Sequence, residues 1–488
     1  MIDFHAIAPE LIVAGTAVLV LVVDLYTSRK VVANYLSLAG AAAAAVALAT
    51  LVGERRETFG GSFVVDNYAL LFKALFLGAL VLVLLTSKRY VDSGGYWQGE
   101  YYFLLLSSFV GMLLMPSSRD LLMLFLSLEI VSATGFIVSG LRKGDARSNE
   151  GAIKFLLIGV LSTAVMLFGM SIVYGLTQSI RLDEIAAALA DANSGLATEP
   201  AMVMAMFLVI TGFAFKVSAA PFHFWAPDTY EGSPVPVAGF LSVASKAAGF
   251  AGLLQVTFVG FAPLAHAWAP AFGFLAAFTM LVGNVIALSQ TNMVRLLAYS
   301  SVAQAGYMLV PFAAAGGVDP AGRYEAFQAV LIYLLLYGIT NLGAFAVVTL
   351  VAQRQPSNLI ADYAGLGRRS PGLAVALSVF LFSLAGIPPL AGFYAKLVVF
   401  RAALGAGEGW VTALAAFMAV MTVVALFYYL SIVRSMWQAP APEGSGTLPV
   451  PVPYGLAIGA STLGVLALGI LPGLIIQLAP VSTLLASP

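Results

Sequence analysis

Fourteen stretches of this chain, each about as long as a lipid bilayer is thick, carry almost no charge. A helix needs about 20 apolar residues to cross a hydrocarbon core of roughly 30 Å. Runs of that kind lie near 9–25, 32–52, 68–86, 100–116, 119–140, 151–175, 201–220, 235–258, 270–288, 295–314, 325–351, 373–401, 410–434 and 452–478. A barrel would need segments of about ten residues with alternating hydrophobicity. These runs are longer and do not alternate. The expected fold is an all-α polytopic membrane protein of about 14 transmembrane helices.

Composition narrows the function. Of 488 residues, 61% are hydrophobic and 9% charged, against roughly 25% charged in soluble domains. No soluble core could bury that much apolar surface. A formal net charge of zero without a basic tract argues against nucleic acid as a partner. The absence of cysteine excludes a disulfide scaffold, a thiolate-held iron–sulfur cluster and a cysteine nucleophile. No phosphate loop, dinucleotide fingerprint, HExxH or nucleophile elbow is present. The chain is therefore expected to hold no cofactor and no metal of its own. Its start, MIDFHAIAPE, lacks the positive region of a cleavable signal, so the first run is expected to be retained.

Loop cations orient the spans. With the N-terminus outside, the inner loops hold Arg29, Lys30, Lys88, Arg89, Arg142, Lys143, Arg147, Arg295, Arg354, Arg368, Arg369 and Arg434. The outer side holds half as many: Arg55, Arg56, Arg119, Arg181, Arg323 and Arg401. Both termini are expected outside.

Five basic residues remain within spans, Lys73, Lys154, Lys216, Lys246 and Lys396, and one acid lies deep in a span, Glu129. Ionisable groups at membrane depth cost about 2.5–3.5 kcal/mol each on the mildest scale, so function is sought among them. Lys73 lies near the outer end of its span and is expected to snorkel to the interface. Lys154 is four residues into its run, roughly 6 Å deep, where snorkelling and function balance. Glu129 is ten residues from Arg119 and thirteen from Arg142, near mid-membrane. A structural salt bridge is the competing reading for any Glu–Lys pair. Several central charges of mostly one sign suit a row of titratable groups along a proton path better.

Prolines mark the second feature. Pro221 interrupts the seventh span and Pro388-Pro389 the twelfth. Proline removes a backbone hydrogen bond and clashes with the preceding turn. The freed carbonyls survive in a membrane only where protein or water satisfies them. Lys216 precedes Pro221 by five residues, and Lys396 follows Pro389 by seven. Two broken helices five spans apart run in opposite directions. They suggest an inverted repeat of spans 4–8 and 9–13. The expected units are 1–98, 99–260, 261–437 and 438–488. His223, just past the first break, titrates near neutrality and is a weaker proton-carrying candidate, as is Lys154. Tyr230, Ser242, Ser245, Tyr299, Ser300, Gln304, Tyr307, Tyr337 and Asn341 could carry protons too. Helix–helix hydrogen bonds are the commoner use of such residues.

The segment PFHFWAPDTYEGSPVPVAGFLSVASKAAGF, 221–250, resembles the antiporter-like membrane subunits of respiratory complex I. Its YEGSPVPVAGFLSVASK portion is most similar to the subunit N branch, and the resemblance extends over essentially the whole chain. It implies that Glu129 is the family's fifth-span glutamate and Lys216 its seventh-span lysine. Lys246 would be the connecting lysine of the eighth span, Lys396 the terminal lysine of the twelfth, and Lys154 a sixth-span lysine also seen in the family. It also implies proton translocation driven by redox chemistry in partner subunits, among them another antiporter-like subunit, in a bacterial inner membrane. Lifting one charge against about 200 mV takes roughly 4.6 kcal/mol, or a swing of about 3 units in proton affinity. Two other functions compete. A multi-subunit cation/proton antiporter subunit would exchange ions without a redox partner. A non-conducting scaffold would tolerate loss of Lys216.

Overall fold

The computed structural model describes residues 2–27, 31–94, 96–355, 357–441 and 446–478. Arg29 and Lys30, counted above as inner-loop cations, lie outside the described residues, as do 442–445 and 479–488 of the expected last unit. Helix dominates. α1 (Ala8–Tyr26), α2 (Val31–Ala49) and α3 (Asn67–Gly94) come first, followed by α4 (Gln98–Leu114), α5 (Leu121–Ser139) and α6 (Ala146–Thr177). A short loop helix, α7 (Leu182–Ala190), leads to α8 (Pro200–Lys216) and α9 (Trp225–Gly232). α10 (Val235–Phe240) and α11 (Lys246–Gln255) are joined by a π-turn at Leu241–Ser245. α12 (Ala265–Ala287), α13 (Met293–Ala314) and α14 (Pro320–Ala352) follow, then the one-turn α15 (Leu366–Arg369). α16 (Pro371–Ala385), α17 (Ala391–Gly405), α18 (Gly409–Gln438), α19 (Val452–Ile470) and α20 (Gly473–Leu478) complete the chain.

Among the described residues, 12 helices are long and apolar enough to cross a membrane. Two shorter apolar helices, Pro200–Lys216 and Pro371–Ala385, stop where the sequence places its breaks. Each break is followed by a further helix, α9 or α17, and contains one cis X–Pro bond, Ala220–Pro221 or Pro388–Pro389. The last run is shorter than expected: α19 ends at Ile470, ahead of Pro472.

Polar side chains start the helices at the membrane edges. Asp120, Asp145, Asn292 and Asp319 accept backbone N–H groups at the first turns of α5, α6, α13 and α14, donors that have no partner within the helix. One element departs from all-α: β1 (Arg56–Thr58) pairs antiparallel with β2 (Phe63–Val65) between α2 and α3. Gly60 and Gly61 turn that hairpin with positive φ, and β-branched Val64 and Val65 suit its second strand.

The span from Val235 to Gly260 is wholly buried within the bundle, and α13 and α14 nearly so, whereas α1 and α19 present most of their surface outward. The three central spans carry Lys246 and most of the polar side chains singled out above.

Candidate functional site

At the first break the helix ends on Lys216 itself. Lys216 is 1% exposed, and its ammonium donates to the Ser132 hydroxyl of α5 at 3.0 Å. Glu129 lies one turn earlier on α5, half-buried, with Oε1 unpartnered among the described residues. It faces both the charge of Lys216 and the hydroxyl of Thr163 on α6, but forms no ion pair with the lysine. Backbone N–H groups of Val217, Ser218 and Ala219 close the end of α8, and the Trp225 indole N–H adds a second donor to Phe215 O at 3.2 Å. A glycine on α11 makes room for the lysine. A Cβ at Gly249 would lie 2.9 Å from Lys216 Cγ.

Lys246 opens α11, directly after the π-turn. Wide turns of this kind are frequent at functional sites, and a second one closes the same span at Val256–Gly260. Lys246 is 1% exposed and donates to Ser301 O at 2.6 Å and Ser301 Oγ at 2.5 Å, both on α13. Beside it Asn341 donates to the Ser242 and Tyr337 hydroxyls, and Tyr337 donates to Ser242 O.

From Ser301 the polar side chains continue along α13. The Ser300 hydroxyl bonds Tyr429 of α18 at 2.5 Å. Gln304 accepts from Tyr333 of α14 and donates to Leu384 O, at 2.5 and 3.1 Å. Leu384 and Ala385 are the last residues of α16, so their carbonyls are orphaned by the second break. Gln304 satisfies one. Lys396 satisfies the other, reaching back across the break to Ala385 O at 3.0 Å. Its ammonium also lies 4.7 Å from the centre of the Tyr307 ring. The Tyr307 hydroxyl joins Asn284, which in turn accepts from Tyr428. Gly386, at φ +89°, turns the chain here, and a Cβ would stand 3.0 Å from Lys396 Cδ. No carboxylate pairs with Lys216, Lys246 or Lys396 among the described residues.

The two breaks use their lysines differently. Lys216 precedes its break and bonds Ser132 of α5, with Glu129 the carboxylate that acts on it among the described residues. Lys396 follows its break and holds the carbonyl the break released. In both, neutral oxygens bond the ammonium group. Such acceptors stay satisfied when the amine is neutral, since it keeps N–H groups to donate to the Ala385 carbonyl and can itself accept from the Ser132 hydroxyl.

Other candidates fall elsewhere. Lys154 is 42% exposed and bonds Asp228 and Glu150 at 2.5 and 2.6 Å, so it lies in a surface ion cluster rather than in the central row. His223 is 5% exposed and its Nδ1 has no partner among the described residues. Lys73 corrects its expectation. It does not snorkel but is fully buried, 2.7 Å from Glu10 of α1. Glu10, 4% exposed, also means that Glu129 is not alone among buried acids. It was missed because it stands in the first turn of its helix, which by sequence position reads as the interface. Ser132, Ser301, Tyr333, Tyr428, Tyr429 and Asn284 were missed as site residues as well. Their isolated hydroxyls and amide carry no signal until the helices are assembled.

Comparison with known proteins bears on the family and the fold. Residues 118–422 match the family model described as NADH:quinone oxidoreductase/Mrp antiporter, TM. A protein of Streptomyces griseus named NADH-quinone oxidoreductase subunit N 2 is 46% identical over 467 residues, 92% of this chain and 86% of its own. A chain of respiratory complex I from Thermus thermophilus with bound aureothin superposes with a TM-score of 0.78 at 32% identity, covering 96% of this chain and 98% of that one. A chain of the Mrp complex from Dietzia superposes with a TM-score of 0.82 at 22% identity, a likeness of fold. Among the described residues no group of three or more His, Asp or Glu side chains could hold a metal ion.

Proposed function

The chain belongs to the NADH:quinone oxidoreductase/Mrp antiporter family of membrane subunits, and from that premise we propose that it is the subunit N-type, proton-translocating membrane subunit of an NADH:quinone oxidoreductase. It works as part of that multi-subunit translocase, embedded in a bacterial inner membrane beside other membrane subunits, one of them antiporter-like. Both termini lie outside. Counting α8 with α9 and α16 with α17 as single broken crossings brings the spans to fourteen, in units 1–98, 99–260, 261–437 and 438–488, the middle two an inverted repeat. The redox cofactors belong to the partner subunits.

In this reading Lys216 is the residue loaded with the proton, and Glu129 sets how tightly it is held. A carboxylate that approaches a buried amine favours its charged form, and one that turns away releases it. Lys246 receives the proton from the Lys216 side and passes it along α13 towards Lys396. The observation that carries this reading is the set of three buried lysines on neutral acceptors, spread from one helix break to the other. A scaffold would have no use for unpaired charge at that depth.

The test is Lys216→Met in the assembled complex, in inside-out membrane vesicles fed NADH. Proton pumping is expected to collapse; full pumping in the assembled variant would refute the relay. Lys216→Arg should block as well, because arginine stays protonated. Ion exchange by the reconstituted chain alone would favour the antiporter function instead.

A further inference from the structure

The eight-residue helix α9 touches the surroundings of two relay lysines without carrying either. At its start, Trp225 bonds the carbonyl of Phe215, next to Lys216. At its far side Tyr230, fully buried, turns its hydroxyl towards Ser301 without completing a hydrogen bond. Ser301 is the residue whose carbonyl and hydroxyl hold Lys246. The Ser301 hydroxyl thus has three neighbours, the ammonium at 2.5 Å, the waiting Tyr230 phenol and the Tyr337 phenol.

Between Trp225 and Tyr230, Asp228 points the other way, into the surface ion cluster. Its Oδ2 accepts from Lys154 of α6 at 2.5 Å and its Oδ1 from Arg295 of α13 at 2.6 Å. Glu231 supports it, bonding Arg295 at 3.0 Å and lying 3.5 Å from Arg147 of α6, while Glu150 pairs with Lys154. Tyr299 faces the Arg295 guanidinium, and Tyr337 of α14 faces Ser301.

α9 is locked to α6 by shape. A Cβ on Gly151 would fall 2.7 Å from Asp228 O, Thr229 donates to Gly151 O at 3.0 Å, and Phe155 stacks on Trp225 with centroids 4.1 Å apart. Towards α13, the polar contacts of α9 among the described residues run through Arg295 outside and Ser301 inside. Those two stand six residues apart on one helix, about 9 Å. The outer contact therefore sets the spacing at the inner one. Without the Asp228 charge, Arg295 keeps Glu231 and Lys154 keeps Glu150, but the one carboxylate shared by both cations is gone, and their repulsion across a neutral side chain loosens α13 from α6.

We propose that Asp228 is a positioning residue for Lys246: by clamping Arg295 to the first half of the bundle it fixes whether Ser301 bonds the lysine or Tyr230. The proposal gives Lys154 a role outside the relay, as the second anchor of Asp228. It rests on the proton-relay reading above.

The experiment compares Asp228→Asn, Asp228→Glu, Tyr230→Phe, Lys246→Met and the double variant Asp228→Asn/Lys246→Met in inside-out vesicles of the assembled complex. Protons pumped per NADH are read across pH, with NADH oxidation by an artificial electron acceptor as the control for assembly. Asp228→Asn should lower pumping several-fold and move its pH optimum by about one unit, leave artificial-acceptor oxidation intact, and be rescued by Asp228→Glu. In the Lys246→Met background it should add no further loss. An unmoved pH profile, or a further loss in that background, overturns the positioning role. Should Asp228→Asn fail to assemble, Tyr230→Phe leaves the ion cluster untouched and must still move the pH optimum; an unchanged profile overturns the proposal. Normal pumping by Lys246→Met would overturn the relay reading itself. Lost pumping in Lys246→Met with a wild-type profile in Asp228→Asn would overturn the positioning role alone.

Discussion

Lys73 and Lys246 are equally hidden, at 0% and 1% exposure, yet they keep different company. Lys73 of α3 meets the carboxylate of Glu10 at 2.7 Å, with the Phe63 ring 4.8 Å from its ammonium. Lys246 meets the carbonyl and hydroxyl of one serine, and among the described residues the hydrogen bonds of Lys216 and Lys396 likewise go to neutral oxygens. A buried ion pair binds each charge to the other, because neutralising one strands its partner away from water. An ammonium on neutral acceptors can lose its proton and leave nothing unpaired. On the proposed relay, then, it is the charge of the partner and not burial alone that separates a working lysine from a structural one.

The strongest way to sharpen that contrast is to remove the carboxylate that faces Lys216 without pairing to it. Glu129→Gln should abolish pumping against a full membrane potential while the complex still assembles. Pumping in vesicles at high and at collapsed potential is the check. Next comes the static pair. Lys73→Met should destabilise the protein by about 3–5 kcal/mol, since Glu10 is left buried and alone. Glu10→Leu combined with Lys73→Met should restore stability, and protons pumped per NADH should stay normal throughout. A pumping defect in a stably assembled Lys73→Met variant would erase the distinction between the two kinds of lysine.

A smaller effect is expected at Gly386. Alanine there must adopt a left-handed conformation, costing about 1–2 kcal/mol, and its Cβ would stand 3.4 Å from Lys396 Nζ. Gly386→Ala should therefore lower thermal stability modestly and pumping measurably. Gly249→Ala, which meets the stem of Lys216 and the Val217 side chain and sits in helix α11, should affect pumping with less loss of stability. The least effect belongs to the N-terminal surface. Hydrogen bonds from Arg56 hold the Asp3 and Glu54 carboxyls below the usual carboxylate range. That contribution is present above their unfolded values, near about 4, and is lost as pH falls through the lowered ones. Both carboxyls keep contact with water, so Arg56→Ala should lower thermal stability only slightly at neutral pH, and the difference should disappear at the acid end of a thermal-denaturation series.

Much of this was legible in the sequence because lipid enforces it. Apolar runs set the spans, Pro221 and Pro388-Pro389 set where α8 and α16 end, and an isolated lysine in such a run stands out by its desolvation cost. Partners were harder to see. Glu10 and Lys73 are separated by 63 positions and meet only once the bundle is assembled. The π-turn before Lys246 follows from no local residue preference, and the hydroxyls of Ser301, Tyr429 and Tyr333 resemble any others in apolar helices. Asp228 reads as a loop acid. Its two cations come from α6 and α13, which meet only in three dimensions.

The account stands on one claim, that the lysines at the two breaks act in series on the same protons. Protons pumped per NADH by Lys216→Met, Lys396→Met and the double variant, in one membrane preparation, test it directly. In series, the double variant pumps no less than the more damaged single variant. If each single variant keeps about half of the chain's contribution and only the double loses all of it, the two breaks work in parallel and the claim is wrong.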